Sequence, residues 1–358
     1  MTPAERQALL PLLADLSAAC EELVSTGLSA ASKATVARLD TAFREAGRHR
    51  IGRLAASLRY ANEEIGRYVA HSPDFSARRL TLFVHRSWMV AQGLERAVRT
   101  GDEALWQRLW FTPTAPVPMP SITVAVLGVA ARGSASSGSF EFRLRQLGGE
   151  HDGRALLWSF VFARKDAGLP LEAWLHLPQP QKFEPKVLLG GGAVTFTQVA
   201  VAEGGRLLLG PKATVTVDPK PADLTRFVGF DRAAAAERVR AWEISPLDLE
   251  VELSEELWLR DYGVGEPFDR DGVRVVPLTM DDLVLEVRLP AGEDGTRLDK
   301  RLAELRKRKV VPPLFGVMHY EMCRPVFAPL TTFDGQPDFL TIASTTIDKK
   351  KLLALLSL

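Results

Sequence analysis

The sequence predicts an α+β protein: an N-terminal antiparallel helical bundle followed by a mainly antiparallel, sheet-rich domain with a few helices. Three observations carry this. Up to residue 111 the apolar residues recur at helical spacing. From residue 121 they come in short runs separated by Gly, Pro and Asp. Between the two regimes lies the proline-rich TPTAPVPMP, residues 112–120. The expected layout is a bundle at 1–111, a connector at 112–120 and a β-rich domain at 121–358. Trp106, Trp110 and Phe111 before the connector and Ile122 and Val124 after it look anchored in cores, with the prolines holding the span extended as a semi-rigid strap.

Each helix follows from its own pattern. Thr2-Pro3-Ala4-Glu5 is a capping box with proline at the first helical position. Leu9, Leu12, Leu13, Leu16, Cys20 and Leu23 then predict one continuous helix up to Thr26-Gly27. A second carries Val36, Leu39 and Phe43 and yields near Gly47; a third carries Ile51, Leu54, Leu58, Ala61, Ile65 and Val69. A fourth, over residues 76–99, aligns Leu80, Phe83, Val84, Ser87, Ala91, Leu94 and Val98. Thr100-Gly101-Asp102 ends it and caps a short last helix. Four long helices on short connections favour an antiparallel bundle, and no repeat of about 34 or 40 residues points to a solenoid.

Past the connector, SITVAVLGVAARG and SFEFRLRQL read as strands around a loop at 133–138, and Phe140, Phe142 and Leu144 alternate with Glu141, Arg143 and Arg145. ALLWSFVFA reads as a central strand, and VTFTQVAV, RLLLGP and ATVTVDP as further antiparallel strands with Gly-Gly turns at 191–192 and 204–205. Residues 232–242, alanine-rich with paired charges, predict a helix. Residues 243–294 hold 15 acids against four arginines, whereas residues 297–309 hold seven bases against two acids. Leu298, Leu302 and Leu305 make the basic block an amphipathic helix. The apolar C-terminal tail, after Lys349-Lys350-Lys351, is expected to pack on its own sheet.

Composition excludes several classes. With 46% hydrophobic and 25% charged residues the chain can bury cores, and its formal net charge of +1 argues against wholesale polyanion coating. No run approaches the roughly 18 apolar residues of a membrane span, and the N-terminus lacks a signal peptide's basic region. A cytoplasmic setting with no membrane partner is the expectation. Cys20 and Cys323 are too few for a cysteine-built zinc site and read as buried thiols. Only 12 of 45 basic residues are lysine, which resembles a bacterial coding bias.

No motif carries a reaction. Gly190-Gly191-Gly192 continues into a strand and lacks a following Lys-Ser/Thr pair, so it is a turn and not a phosphate loop. The Ser-rich loop has no nucleophile-elbow context. The six histidines form no zinc-binding pair, Glu150-His151-Asp152 has the look of an exposed turn, and neither metal nor cofactor is implied. His319 and Glu321 share one face of a strand and are the best guess at a catalytic pair. Arg44, Arg48 and Arg53 at the second helical corner, with Lys300, Arg301 and Arg308 on the basic helix, are the candidate partner- or anion-binding residues. The leading expectation is a non-catalytic binding or assembly protein of a bacterial cytoplasmic complex, with another protein as partner. The alternatives are a hydrolase-type enzyme using scattered Asp, Glu and His residues, and a nucleic-acid-binding protein using the arginine-rich corner and the basic helix.

Overall fold

A computed structural model describes residues 1–30, 33–72, 75–110, 115–133, 137–163, 169–224, 227, 229, 232–241, 254–281, 283–321 and 324–343. It is an α+β structure that divides into two compact units; of the described residues, 1–110 belong to the first and 115–343 to the second. Cys323, Lys349–Lys351 and the apolar tail lie outside the described residues.

The first unit is helical: α1 Pro3–Gln7, α2 Leu10–Thr26, α3 Lys33–Arg48, α4 Gly52–Val69, α5 Ala77–Thr100 and α6 Glu103–Trp110. The capping box forms as its residues dictate, with Thr2 and Glu5 bonding each other's backbone N–H. The continuous first helix does not. It breaks at Ala8–Leu9, and α2 restarts with Pro11 in its first turn, because a proline cannot donate to the turn before it. Helices α2, α3, α4 and α5 each pack on the next, and α5 packs back on α2. Leu13, Leu16, Leu54, Leu58, Ala91 and Leu94 fill the space between them.

Glu64 of α4 is a buried charge of this unit, 1% exposed. Its carboxylate accepts from Arg79 Nε at 2.8 Å, from the Ser76 backbone N–H at 2.9 Å and from Arg67. Burial alone would raise its pKa, but these three bonds outweigh burial and hold it below the ordinary carboxylate range. The stabilisation is therefore full above the unfolded value of 4.5 and is lost as the pH falls through the lower folded value. Glu64→Gln should cost about 2 kcal/mol near neutrality. Urea titrations of both proteins from neutral to acid pH should show the gap closing; a gap independent of pH would contradict the ionic account.

Among its described residues the second unit contains two barrels, one formed by a five-stranded and one by an eight-stranded sheet. Barrel 1 uses β1 Val117–Gly133, β2 Ser137–Gln146, β3 Ala155–Ala163, β4 Gly192–Val201 and β5 Leu207–Pro221, hydrogen-bonded in the order β3-β2-β1-β4-β5. A parallel bridge from Leu157 to Arg206 closes β3 on β5. β1 starts inside the expected connector. Pro118 and Pro120 stand at alternate positions where β1 pairs with β4 alone, so both missing donors fall on one edge. Phe140, Phe142, Trp158, Val194 and Phe196 fill the interior, joined by Leu175 and Leu188 from 3-10 turns at Leu171–His176 and Pro185–Gly190.

After α7 (Arg232–Ala241) the chain repeats this connectivity. Its strands are β6 Ser254–Leu259, β7 Gly263–Val264, β8 Phe268–Arg270, β9 Val273–Met280, β10 Leu283–Arg288, β11 Leu314–Glu321, β12 Arg324–Asp334 and β13 Gln336–Phe339, with α8 Glu293–Arg306 between β10 and β11. The pairing runs β6-β11-β12-β10-β9-β7, with β10 parallel to β12. Its two ends, β6 and β7, are separated by three residues of chain, so they are halves of one bent strand and the sheet closes into barrel 2. Tyr262 sits at the bend, its hydroxyl donating to Pro312 O at 3.1 Å while burial raises its pKa. In both barrels a first strand pairs with the second and fourth, and the third meets the fifth in parallel. This is the connectivity of the oligonucleotide- and oligosaccharide-binding barrel.

The barrels meet along β1. A bulge between Val126 and Gly128 turns two consecutive residues, Leu127 and Gly128, toward barrel 2. Leu127 packs with Ala125, Trp258, Phe315 and Leu330, and a Cβ on Gly128 would lie 2.9 Å from Leu330. Glu256 of β6 accepts from Arg145 at 2.7 Å and Arg143 at 3.4 Å, and Glu172 of barrel 1 accepts from the Ala343 N–H at 3.0 Å.

Candidate nucleic-acid interface

The interior of barrel 1 takes the even-numbered residues of β2 and β3, so the odd-numbered ones face outward. Register sets them in rows. Arg132 of β1 lies opposite Ser139, which lies opposite Val161. In the next row Glu141 lies opposite Ser159, and in the next Arg143 lies opposite Leu157. Leu157 bridges to Arg206, whose Nη2 donates to the Ser159 hydroxyl at 3.3 Å. Arg206 is fixed there by the preceding turn. Gly205 has φ 78°, and a Cβ on it would fall 2.6 Å from the Ala155 carbonyl oxygen, so only glycine brings β5 this close to β3.

Arg132, Val161 and Arg206 are exposed, Val161 to 75% in mid-strand. Neither Arg132 nor Arg206 has an ion pair among the described residues. Arg143, by contrast, is neutralised by Glu141 at 2.6 Å and by Glu256. The open part of the face is therefore two guanidinium groups, the hydroxyls of Ser139 and Ser159, and an apolar ledge. The corresponding face of barrel 2 carries an acid: Glu286 of β10, mostly buried, accepts from Arg270, whose guanidinium lies 4.9 Å from the Phe268 ring centre.

Arg44 pairs with Asp40 at 2.7 Å, Arg48 with Glu45 at 3.5 Å, and Arg53 is half-buried on α4. Arg301 bonds both oxygens of Asp338 at 2.6 and 2.7 Å, and Arg308 bonds Asp334 at 2.8 Å. Arg297 and Arg306 on the same helix pair with Asp294 and Glu266. Only Lys300 of the Lys300, Arg301 and Arg308 group carries no ion pair among the described residues. His319 is half-buried on β11 between Ser254 and Val326, and Glu321 stands opposite Arg324; the Glu321 side chain lies outside the description. Among the described residues no three His, Cys, Asp or Glu side chains converge as metal ligands, and no helix is long and apolar enough to cross a membrane. Asp152 turns back to accept from the Gly148 N–H within the β2–β3 turn. Cys20 is a free, buried thiol whose pKa burial pushes up to about 12.

Arg132 and Arg206 escaped sequence reasoning. The alternation in β2 was a usable signal for which side chains face out. Nothing local, however, says that Arg206 arrives beside Ser159 from 47 residues away.

No family model matches the sequence, and neither does any curated protein. Several solved structures do resemble the fold. The Ifi202 HINa domain in complex with 20bp dsDNA is 9% identical with a TM-score of 0.30, over 60% of this chain and 93% of that one. The p202 HIN1 structure in complex with 12-mer dsDNA is 9% identical with a TM-score of 0.29, over 60% and 89%. A murine DNA binding protein bound with ds DNA is 10% identical with a TM-score of 0.25, over 64% and 100%. Likeness of this order carries no functional argument.

The expected assembly protein with a protein partner is corrected on these findings. That expectation rested on segregated charge, an apolar tail and missing catalytic motifs. The charge blocks are largely spent inside the fold, residues 301–308 against Asp334, Asp338 and Glu266, and the strands close into two barrels with the connectivity of the oligonucleotide- and oligosaccharide-binding fold. The three structures named here are DNA complexes, and none of the comparisons supports the expected bacterial origin.

Proposed function

We propose that this chain binds nucleic acid, without catalysing a reaction on it, through the outer face of barrel 1. The observation that carries the reading is the register-set patch of Arg132, Ser139, Ser159 and Arg206 on a barrel of this connectivity. Single strands are gripped by stacking bases on exposed rings. Here Phe140, Phe142 and Trp158 are turned into the barrel, and the face offers guanidinium and hydroxyl groups instead. Those groups suit phosphate oxygens, so the ligand is a duplex held by its backbone. The setting in this reading is the cytoplasm, where an unpaired thiol such as Cys20 is the ordinary state of cysteine.

Fluorescence anisotropy of a labelled duplex, titrated from about 50 to 200 mM salt, tests this. Two phosphate contacts should give a slope of log K against log salt of about −2. An absence of binding at the lowest salt, or binding indifferent to salt, would overturn it.

A further inference from the structure

We propose that the helical unit carries a second, independent site: a cleft for a small amphipathic amine. A cavity of about 290 Å³ lies between α2 and α5, near the lower end of the range for small-molecule pockets. Two side chains from each helix build it at one-turn spacing, Cys20 and Val24 from α2 and Val84 and Trp88 from α5. Cys20 and Val84 are its buried floor, whereas Val24 and Trp88 stand 58% and 36% exposed as walls. Cys20 and Val84 belong to the bundle core, and Val24 and Trp88 carry that apolar surface one turn further out, where bundle packing leaves it uncovered.

The charge at its mouth selects the occupant. Trp88 Nε1 donates to Glu21 Oε1 at 2.8 Å and holds that carboxylate at the rim. Glu21 has no ion pair among the described residues, although Glu22 and Asp15 on the same helix are both taken by Arg38. Among the described residues no lysine or arginine lines the cleft; the remaining polar lining groups are His85 and Ser25, whose hydroxyl is turned to Glu22 O at 3.1 Å. A neutral hydrophobe would desolvate Glu21 without compensation, and an anion would be repelled. A protonated amine on an apolar body fills the space and pairs the carboxylate beside the indole.

The full-length protein, titrated by calorimetry with 4-phenylbutylamine, 4-phenylbutanol and 4-phenylbutyrate, gives the test. The amine should bind about tenfold tighter than the carboxylate. Glu21→Gln keeps an acceptor for the Trp88 indole but removes the charge; it should weaken the amine roughly three- to five-fold and leave the alcohol unchanged. Val24→Trp, on an exposed wall, should fill the cleft and abolish binding of all three. Equal binding of amine and carboxylate, indifference to Glu21→Gln, or no binding of any probe up to about 5 mM would each overturn the proposal.

Discussion

Replacing Trp258 with alanine should destabilise the barrel unit by about 3–5 kcal/mol, the range for emptying a fully packed aromatic site. Trp258 is 3% exposed, with ring centres 5.4 Å from Phe315 and 4.6 Å from Phe333, and it is the largest side chain between the barrels. The loss should appear in hydrogen exchange as faster opening of β6, β11 and β12. Trp258→Phe separates packing from polarity. The indole N–H is buried with no hydrogen-bond acceptor among the described residues, and leaving such a donor unmet costs about 1–3 kcal/mol. Phenylalanine removes that penalty while keeping most of the ring, so its net cost should be about 1 kcal/mol or less. A Trp258→Ala loss below about 1 kcal/mol would mean that the seam contributes little and that each barrel stands on its own core.

Elements held together by near neighbours were legible in the sequence, and those closed by distant ones were not. The helices of the first unit follow their 3.6-residue patterns, and the cap at Thr2–Glu5 forms because all its atoms lie within one turn. The break before Pro11 had a local signal that the leucine pattern overrode. In the second unit, β2 and β3 were readable from alternation and from an apolar run. The strands at 254–288 were not, because acids crowd that segment and drew attention as charge. A turn signal was there nonetheless: Asp271-Gly272, with φ 52° and 75°, joins β8 to β9 as a hairpin. Barrel closure was out of reach. It depends on Leu157 meeting Arg206 and on β10 lying parallel to β12, and neither pairing leaves a mark in either segment.

The same division governs the candidate site. The basic helix was legible as a helix, but the acids that neutralise it come from residues 26 to 40 positions away, at Asp334, Asp338 and Glu266. Arg132 and Arg206 looked ordinary in sequence because their isolation from carboxylates is a property of the folded sheet.

That contrast makes charge reversal the sharpest test of function. The double variant Arg132→Glu/Arg206→Glu should lower duplex affinity by more than about tenfold and flatten the salt slope by about 2, one for each lost phosphate contact. Both side chains are exposed, so thermal stability should move by no more than about 0.5 kcal/mol, and lost binding would not reflect lost fold. Lys300→Glu and Arg44→Glu, at positions that sequence alone favoured, should leave both affinity and slope unchanged. Arg44 is already paired with Asp40, and Lys300 sits on a helix surrounded by acids. If those two variants abolished binding while the barrel double variant was silent, the interface would belong to the helices and not to the face of barrel 1. If reversal at Arg132 and Arg206 lowered affinity without changing the salt slope, the two arginines would be acting on something other than phosphate, because removing a phosphate contact must also remove the counterions it displaced.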